Sequence, residues 1–284
     1  MPLERTDRFT GEFGESVMVR RAAHPRLRAY VHGYLGYCER TTFTQRREAP
    51  TGAVTLIVDL GDGLRLADPR RPDQVVEYRT GFVAGPADHA ALVDSGGRQT
   101  GVQLTMTLLG ARVLLGQPLR TIANQTVDLA DLLGPDGARL SARMREAHSW
   151  SKRFDLLDTL LVGRLARHAA APAELAHAWQ LLTASRGRLA VTDLAAQLGY
   201  SRNHLTRRFS AELGIAPKTL ARLLRFRQVV DRLDAGGTPD LSQLAATCGY
   251  YDQSHLNRDF RWFAGITPTE HRQLTTPNFG VRAG

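Results

Sequence analysis

The sequence predicts an α+β N-terminal domain, a small and mostly antiparallel sheet with helices, followed by an all-α domain that holds two helix-turn-helix motifs. Three observations carry this. Short β-branched runs separated by turn residues fill the first third of the chain. After Pro135 they give way to Leu and Ala stripes at helical spacing. The last third contains an internal duplication.

Ala53 to Leu60 is the strongest strand, a β-branched run closed by the turn residues Gly61-Asp62-Gly63. Leu64-Arg65-Leu66 reads as its returning hairpin partner. Val75–Tyr78, Gly81–Ala84 and the alternating Gly101–Thr107 read as further strands. Helical spacing covers Ala138–Ala147 and Phe154–His168, the latter with Leu156, Leu157, Leu160, Leu161 and Leu165 on one face. Ala169-Ala170-Ala171-Pro172 marks a break. From Glu174 onward the pattern is a chain of short helices with no strand. The expected divisions are 1–135, a helical linker region 136–172, and 173–284.

The 284 residues suit about two domains, and 43% hydrophobic content argues against disorder. Two distant cysteines, Cys38 and Cys248, exclude a disulfide scaffold and any four-thiol metal site, and fit a reducing cytoplasm. No apolar run nears the roughly 18 residues of a membrane span, and Met1–Thr10 lacks a signal-peptide core. The net charge of +9 is uneven: +3 over residues 1–180 and +6 over 181–284. A basic segment of domain size points to a polyanion, nucleic acid first. Lysine occurs only at Lys152 and Lys218. The rest is Arg, whose planar fork suits phosphate and guanine, although a codon bias explains that ratio equally well.

The duplication aligns Val191–Tyr200 with Leu241–Tyr250, then Leu213-Gly214-Ile215-Ala216-Pro217 with Ala264-Gly265-Ile266-Thr267-Pro268. The offset is 50 up to Gly199/Gly249 and 51 from His204-Leu205/His255-Leu256 onward, so one residue is added in the second turn. Thr192 and Ser242 are expected N-caps, and Ser201 and Asp252 the caps of the following helices. Leu194, Ala195 and Leu198 form a buried stripe, repeated by Leu244, Ala245 and Cys248. Gly199 and Gly249 supply the left-handed residue that ends the first helix of each pair. Leu205 with Phe209, and Leu256 with Phe260, face inward at a spacing of four. The outward positions are Arg202, Asn203, Thr206 and Arg207 in the first copy, and Gln253, Ser254, His255, Asn257 and Arg258 in the second. Such a helix fits the major groove with these side chains at base edges. A helix from Lys218 to Asp234 should join the copies and hold them in phase. Its Arg222, Arg225, Arg227 and Arg232 read either as phosphate contacts or as a solvated face. His204 and His255 lack ligand-spaced partners, so no metal site is assigned.

With these motifs in place, residues 174–274 resemble the DNA-binding domain of the AraC/XylS family of transcription regulators. The carrying residues are Leu-Ala-Ala-x-x-Gly-Tyr, Ser-x-x-x-Leu-x-Arg-x-Phe and Gly-Ile-x-Pro in order, and Cys-Gly-Tyr-Tyr-Asp-Gln-Ser-His-Leu-Asn-Arg-Asp-Phe-Arg in the second copy. The resemblance implies seven helices, two of them recognition helices. It places base contacts on Asn203, Thr206, Arg207, Ser254, His255, Asn257 and Arg258. Arg208 departs from the pattern, standing where an apolar residue is common. The first 170 residues look like the sensing and dimerising part of one subgroup, through Leu27-Arg28-Ala29-Tyr30-Val31, Gly36-Tyr37, Ala53–Gly61, Gly85-Pro86 and Ser149-Trp150-Ser151. Here Leu108-Leu109-Gly110-Ala111 replaces a glycine-rich turn. The implied partners are a double-stranded DNA operator, RNA polymerase, a small-molecule effector and a second copy of the chain. The implied place is the bacterial nucleoid in the cytoplasm, with no cofactor.

Two other readings compete. One is an enzyme fused to a DNA-binding module, such as an alkyl-transfer repair protein, with Cys38 as its only thiol candidate outside the repeat. No phosphate loop or nucleophile elbow supports it, and turn chemistry explains Asp59, Asp62 and Asp88-His89. The other is an architectural DNA-binding protein without base preference, which polar, lysine-free recognition helices disfavour. The chain is therefore read as a non-enzyme. Tyr30, Tyr34, Tyr37 and Phe43 read as core residues or as a pocket lining.

Overall fold

The computed structural model describes residues 4–237, 239–276 and 278–283. Residues 1–3, 238, 277 and 284, which the expected domains 1–135 and 173–284 include, lie outside the described residues. The chain begins with β1 (Arg5–Gly11), β2 (Gly14–Arg21), β3 (Val31–Thr41), β4 (Gln45–Glu48) and β5 (Val54–Asp59). It continues with β6 (Leu64–Asp68), β7 (Arg71–Tyr78), β8 (Gly81–Ala84), β9 (Ala91–Asp94), β10 (Arg98–Met106) and, after α1 (Leu108–Leu115), β11 (Thr126–Asp128). Seven strands form one antiparallel sheet in the order β1-β2-β3-β10-β5-β8-β11, and four form another in the order β4-β9-β6-β7. Ile57 and Phe82 of the larger sheet pack with Leu64, Leu66 and Tyr78 of the smaller one.

Leu64-Arg65-Leu66 is a strand but does not return along the Ala53–Leu60 run. Both edges of β5 are taken, by β10 and β8. The Asp59 carboxylate accepts from the Gly61 and Gly63 amides at 3.1 and 3.0 Å, which bends the chain away. β6 therefore joins β7 and β9 in the second sheet. Leu108-Leu109-Gly110-Ala111 opens α1, where the Thr107 hydroxyl accepts from the Gly110 amide. Tyr34 and Tyr37 are buried core residues, and Tyr30 and Phe43 are half-buried.

Helices follow: α2 (Leu129–Leu133), α3 (Pro135–Glu146) and α4 (Trp150–Arg167). α4 is seated on the large sheet by a polar knot around the buried Arg21 guanidinium. Arg21 pairs with Asp155 at 2.5 Å and Asp158 at 2.8 Å, and the Tyr34 hydroxyl donates to Asp158 at 2.6 Å. The Trp150 ring lies so close to Gly36 that a side chain there would clash.

Seven further helices come next: α5 (Ala173–Ala184), α6 (Val191–Gln197), α7 (Arg202–Leu213), α8 (Pro217–Asp234), α9 (Leu241–Thr247), α10 (Gln253–Ala264) and α11 (Pro268–Leu274). The tail is not wholly helical, as expected from Glu174 onward. A short pair, β12 (Thr275–Thr276) and β13 (Gly280–Val281), follows α11, and Arg282 bridges to Arg46. The open edge of β4 recruits it, with the Ala283 amide donating to the Gln45 carbonyl at 3.1 Å. One buried apolar cluster runs from Val19 through α1 and α4 into the seven helices. Among the described residues no helix is long and apolar enough to cross a membrane.

Candidate nucleic-acid interface

Each repeat folds as two short helices around a glycine turn. Leu194 and Ala195 of α6, and Leu244 and Ala245 of α9, are buried, as the small–large stripe requires. Gly199 at φ +70° and Gly249 at φ +79° occupy the left-handed region that a side chain disfavours. The Ser201 hydroxyl then caps α7 by accepting from the His204 amide at 3.2 Å. The Asp252 carboxylate caps α10 by accepting from the His255 amide at 2.7 Å. Both second helices run 12 residues and end on a left-handed glycine, Gly214 and Gly265.

Thr192 and Ser242 do not cap. α6 starts at Val191 without a side-chain cap, and the Thr192 hydroxyl instead lies 3.4 Å from the Asp193 carboxylate. α9 is capped from further upstream. The Asp240 carboxylate accepts from the Ser242 and Gln243 amides at 2.7 and 3.0 Å. This leaves the Ser242 hydroxyl to donate to the Gln253 carboxamide at 3.2 Å, tying α9 to the start of α10.

Leu205, Phe209 and Leu213 anchor α7, and Leu256, Phe260 and Phe263 anchor α10. Phe226 of α8 meets the Phe260 and Phe263 rings at 5.0 and 5.2 Å. On the opposite face Arg202, Asn203 and Arg207 of α7 are exposed and Thr206 is half-buried. On α10, Gln253, Ser254 and Arg258 are exposed, and His255 and Asn257 are half-buried. The nine side chains thus fall into two sets, one per helix. Asn203 and Arg207, and Ser254 and Arg258, are each four apart in a single outward row. His255 meets the ring of buried Tyr250 edge-on at 5.1 Å. Burial first, and then the Asp259 carboxylate, push the Tyr250 hydroxyl well up, so it stays neutral. Cys248 takes the place of Leu198 as a buried core residue. Arg261, exposed and seven residues beyond Ser254, extends the row on α10. The 254–258–261 spacing was the available signal for it.

The connector arginines are not a phosphate row. Arg222 pairs with buried Asp259 at 2.8 Å, and Arg225 donates to the Gly187 carbonyl at 2.6 Å. Arg232 donates to the Thr247 hydroxyl at 3.2 Å. α8 runs between the two motifs, so these guanidiniums satisfy polar groups that the packing would otherwise strand. Arg227, paired one turn away with Asp231, and the exposed Arg232 fit the solvated reading. Arg208 binds Glu174 of α5 at 2.5 Å, which removes it from the outward set.

The N-terminal half grips the far end of both α7 and α10. Arg112 of α1 pairs with Glu212 at 2.6 Å, while Arg47 of β4 donates to the Ala264 carbonyl at 3.3 Å. Away from these helices, Cys38 is exposed on β3 with the Thr100 hydroxyl 3.5 Å away. His89 sits in a loop, 3.1 Å from Asp88 and 3.5 Å from Asp68.

A family model described as a helix-turn-helix domain matches residues 194–274, spanning both motifs. Among solved structures the chain is similar to ToxT from Vibrio cholerae O395, at 12% identity, 81% of this chain, 96% of that chain and TM-score 0.46. It is also similar to an AraC-type transcriptional regulator from Chromobacterium violaceum, at 28% identity, 36% of this chain, 90% of that chain and TM-score 0.32. A third likeness is to the C-terminal domain of AraT, a response regulator from Geobacillus stearothermophilus, at 24%, 36%, 85% and 0.33 in the same order. No curated protein matches the sequence. On the matched residues and the duplicated motif they contain, residues 194–274 are a helix-turn-helix domain.

Proposed function

We propose that one chain reads duplex DNA at two places, with α7 and α10 in successive turns of the major groove. One observation carries the reading. Both copies expose the same outward polar row while their inward positions are filled, and α8, 18 residues or about 27 Å long, joins them. Arg207 and Arg258 suit guanine, which accepts two parallel hydrogen bonds, and Asn203 and Asn257 suit adenine. Arg202, Thr206, Gln253, Ser254 and His255 complete the two contact sets.

We take 1–135 as the sensing or dimerisation domain, 136–172 as the helical link and 173–284 as the reading domain. A small-molecule effector or a second copy acting on the first domain reaches the recognition helices through Arg112–Glu212 and Arg47–Ala264. RNA polymerase and an operator in the bacterial cytoplasm complete this role, which requires no enzymatic step.

The test starts from duplexes enriched by the full-length chain from a random pool. Binding of Arg207→Ala and Arg258→Ala is then measured at fixed salt. Each variant should lose about 1–3 kcal/mol and relax preference at one position. Unchanged affinity in both rules out the reading. A specificity ratio near one against random DNA favours the architectural alternative instead.

A further inference from the structure

Tyr251 is the single residue by which the second motif exceeds the first. Tyr200 and Tyr250 occupy equivalent places beside His204 and His255. The caps Ser201 and Asp252 are likewise equivalent, and each opens a 12-residue helix. Between Tyr250 and Asp252 stands one extra side chain, and the first motif closes its turn without a counterpart. The fold therefore does not need the Tyr251 ring. It is 93% exposed, the most exposed of the large apolar side chains among the described residues. It stands immediately ahead of the cap of α10, next to exposed Gln253 and Ser254.

A recognition helix enters the major groove with its N-terminal residues at the base edges. The residue before its cap then lies at the groove wall, where sugars and phosphates run. We propose that Tyr251 is a DNA-backbone contact. Its hydroxyl donates to a phosphate oxygen beside the half-site read by α10, and its ring covers the adjoining sugar. The first motif has no such contact, so the second is anchored more firmly than its twin. This rests on the DNA-reading assignment above. A neutral phenol positions without reading sequence and releases no counterion.

The experiment uses the full-length chain, a duplex it enriches from a random pool, and a random duplex of equal length. Affinities are taken across a salt series. Tyr251→Ala should weaken binding to both duplexes about threefold to tenfold, the range of one neutral hydrogen bond. The specificity ratio and the salt slope should match those of the unaltered chain. Tyr251→Phe should fall within about twofold of Tyr251→Ala, and thermal unfolding should not change in either. Unchanged affinity in Tyr251→Ala overturns the contact. A Tyr251→Phe that binds like the unaltered chain overturns the phosphate bond. A Tyr251→Ala that alters the selected base sequence overturns the backbone assignment. Arg258→Ala, tested in parallel, separates the two claims. If it loses affinity while Tyr251→Ala does not, the reading stands and this inference falls. If no duplex is enriched at all, the reading itself has failed.

Discussion

At the scale of single residues, neighbouring arginines take opposite roles according to what stands within reach. Arg207 projects into solvent, whereas Arg208, one position on, is rotated by about 100° and meets Glu174. Arg208→Ala should therefore keep DNA affinity within about twofold, while Arg207→Ala loses about 1–3 kcal/mol. Titrating both variants against one duplex at one salt concentration checks the pair. Arg222 has a different task. Its partner Asp259 has a side chain only 4% exposed, and one of its carboxylate oxygens already lacks a hydrogen-bond donor. Removing the guanidinium strands a buried charge. Arg222→Met should cost about 3 kcal/mol, seen as a lower urea midpoint with unchanged slope. Arg222→Met combined with Asp259→Leu should recover much of that loss, because no charge is then left alone.

At the scale of elements, each motif depends on a turn with little slack. Gly199 has open space around a would-be Cβ, so only backbone strain opposes a substitution there. Gly199→Ala should cost about 1–2 kcal/mol from the left-handed φ alone. Gly249 is tighter, since a Cβ would stand 3.2 Å from the Arg188 side chain, and Gly249→Ala should cost at least as much. Chemical denaturation of the two variants orders them. Asp252 is both a cap and the neighbour of the proposed backbone contact. Asp252→Ala should lose about 1 kcal/mol of stability, and hydrogen exchange should quicken in the first turn of α10 before the rest of it. Uniform quickening along α10 would count against a local capping role.

At the scale of the molecule, the two halves share one apolar core and two polar grips. The grips hold the C-terminal ends of α7 and α10 and leave their N-terminal residues Arg202, Asn203, Gln253 and Ser254 exposed. Arg47 supplies a positive charge where the α10 carbonyls end, favourable against the helix dipole. Gly214 ends α7 against the Leu119 carbonyl, close enough that a Cβ would stand 2.8 Å away. Arg47→Ala combined with Arg112→Ala should loosen the joint without unfolding either side. Calorimetry should then show a broader or split transition in place of a single cooperative one. A sharp single transition at the original midpoint would mean that the apolar contacts alone lock the halves together.

The second half was legible because its signals are local. A cap, a left-handed glycine and an inward stripe act within about four residues, and the duplication displayed each of them twice. Gly199, Ser201, Leu205 and Phe209 accordingly stand where the repeat placed them, as do Gly249, Asp252, Leu256 and Phe260. Thr192 was misplaced because α6 begins one residue earlier, behind Ala190 and without a side-chain cap, and Ser242 because the Asp240 carboxylate upstream takes the cap of α9. In the first half the strand at Val54–Asp59 was evident from β-branching, but its partners were not. β10 reaches it from more than forty residues away, and β6 leaves it altogether. The polar strands β1 and β2 gave no alternation to read. The arginines of α8 show the same limit, since Arg222 meets its carboxylate 37 residues downstream. Residue types and short-range spacing thus determined by themselves that this protein carries two groove-sized helices with polar outer rows. Only the folded chain decided which charges are spent inside it and which remain free, because burial and pairing are set by side chains distant in sequence and adjacent in space.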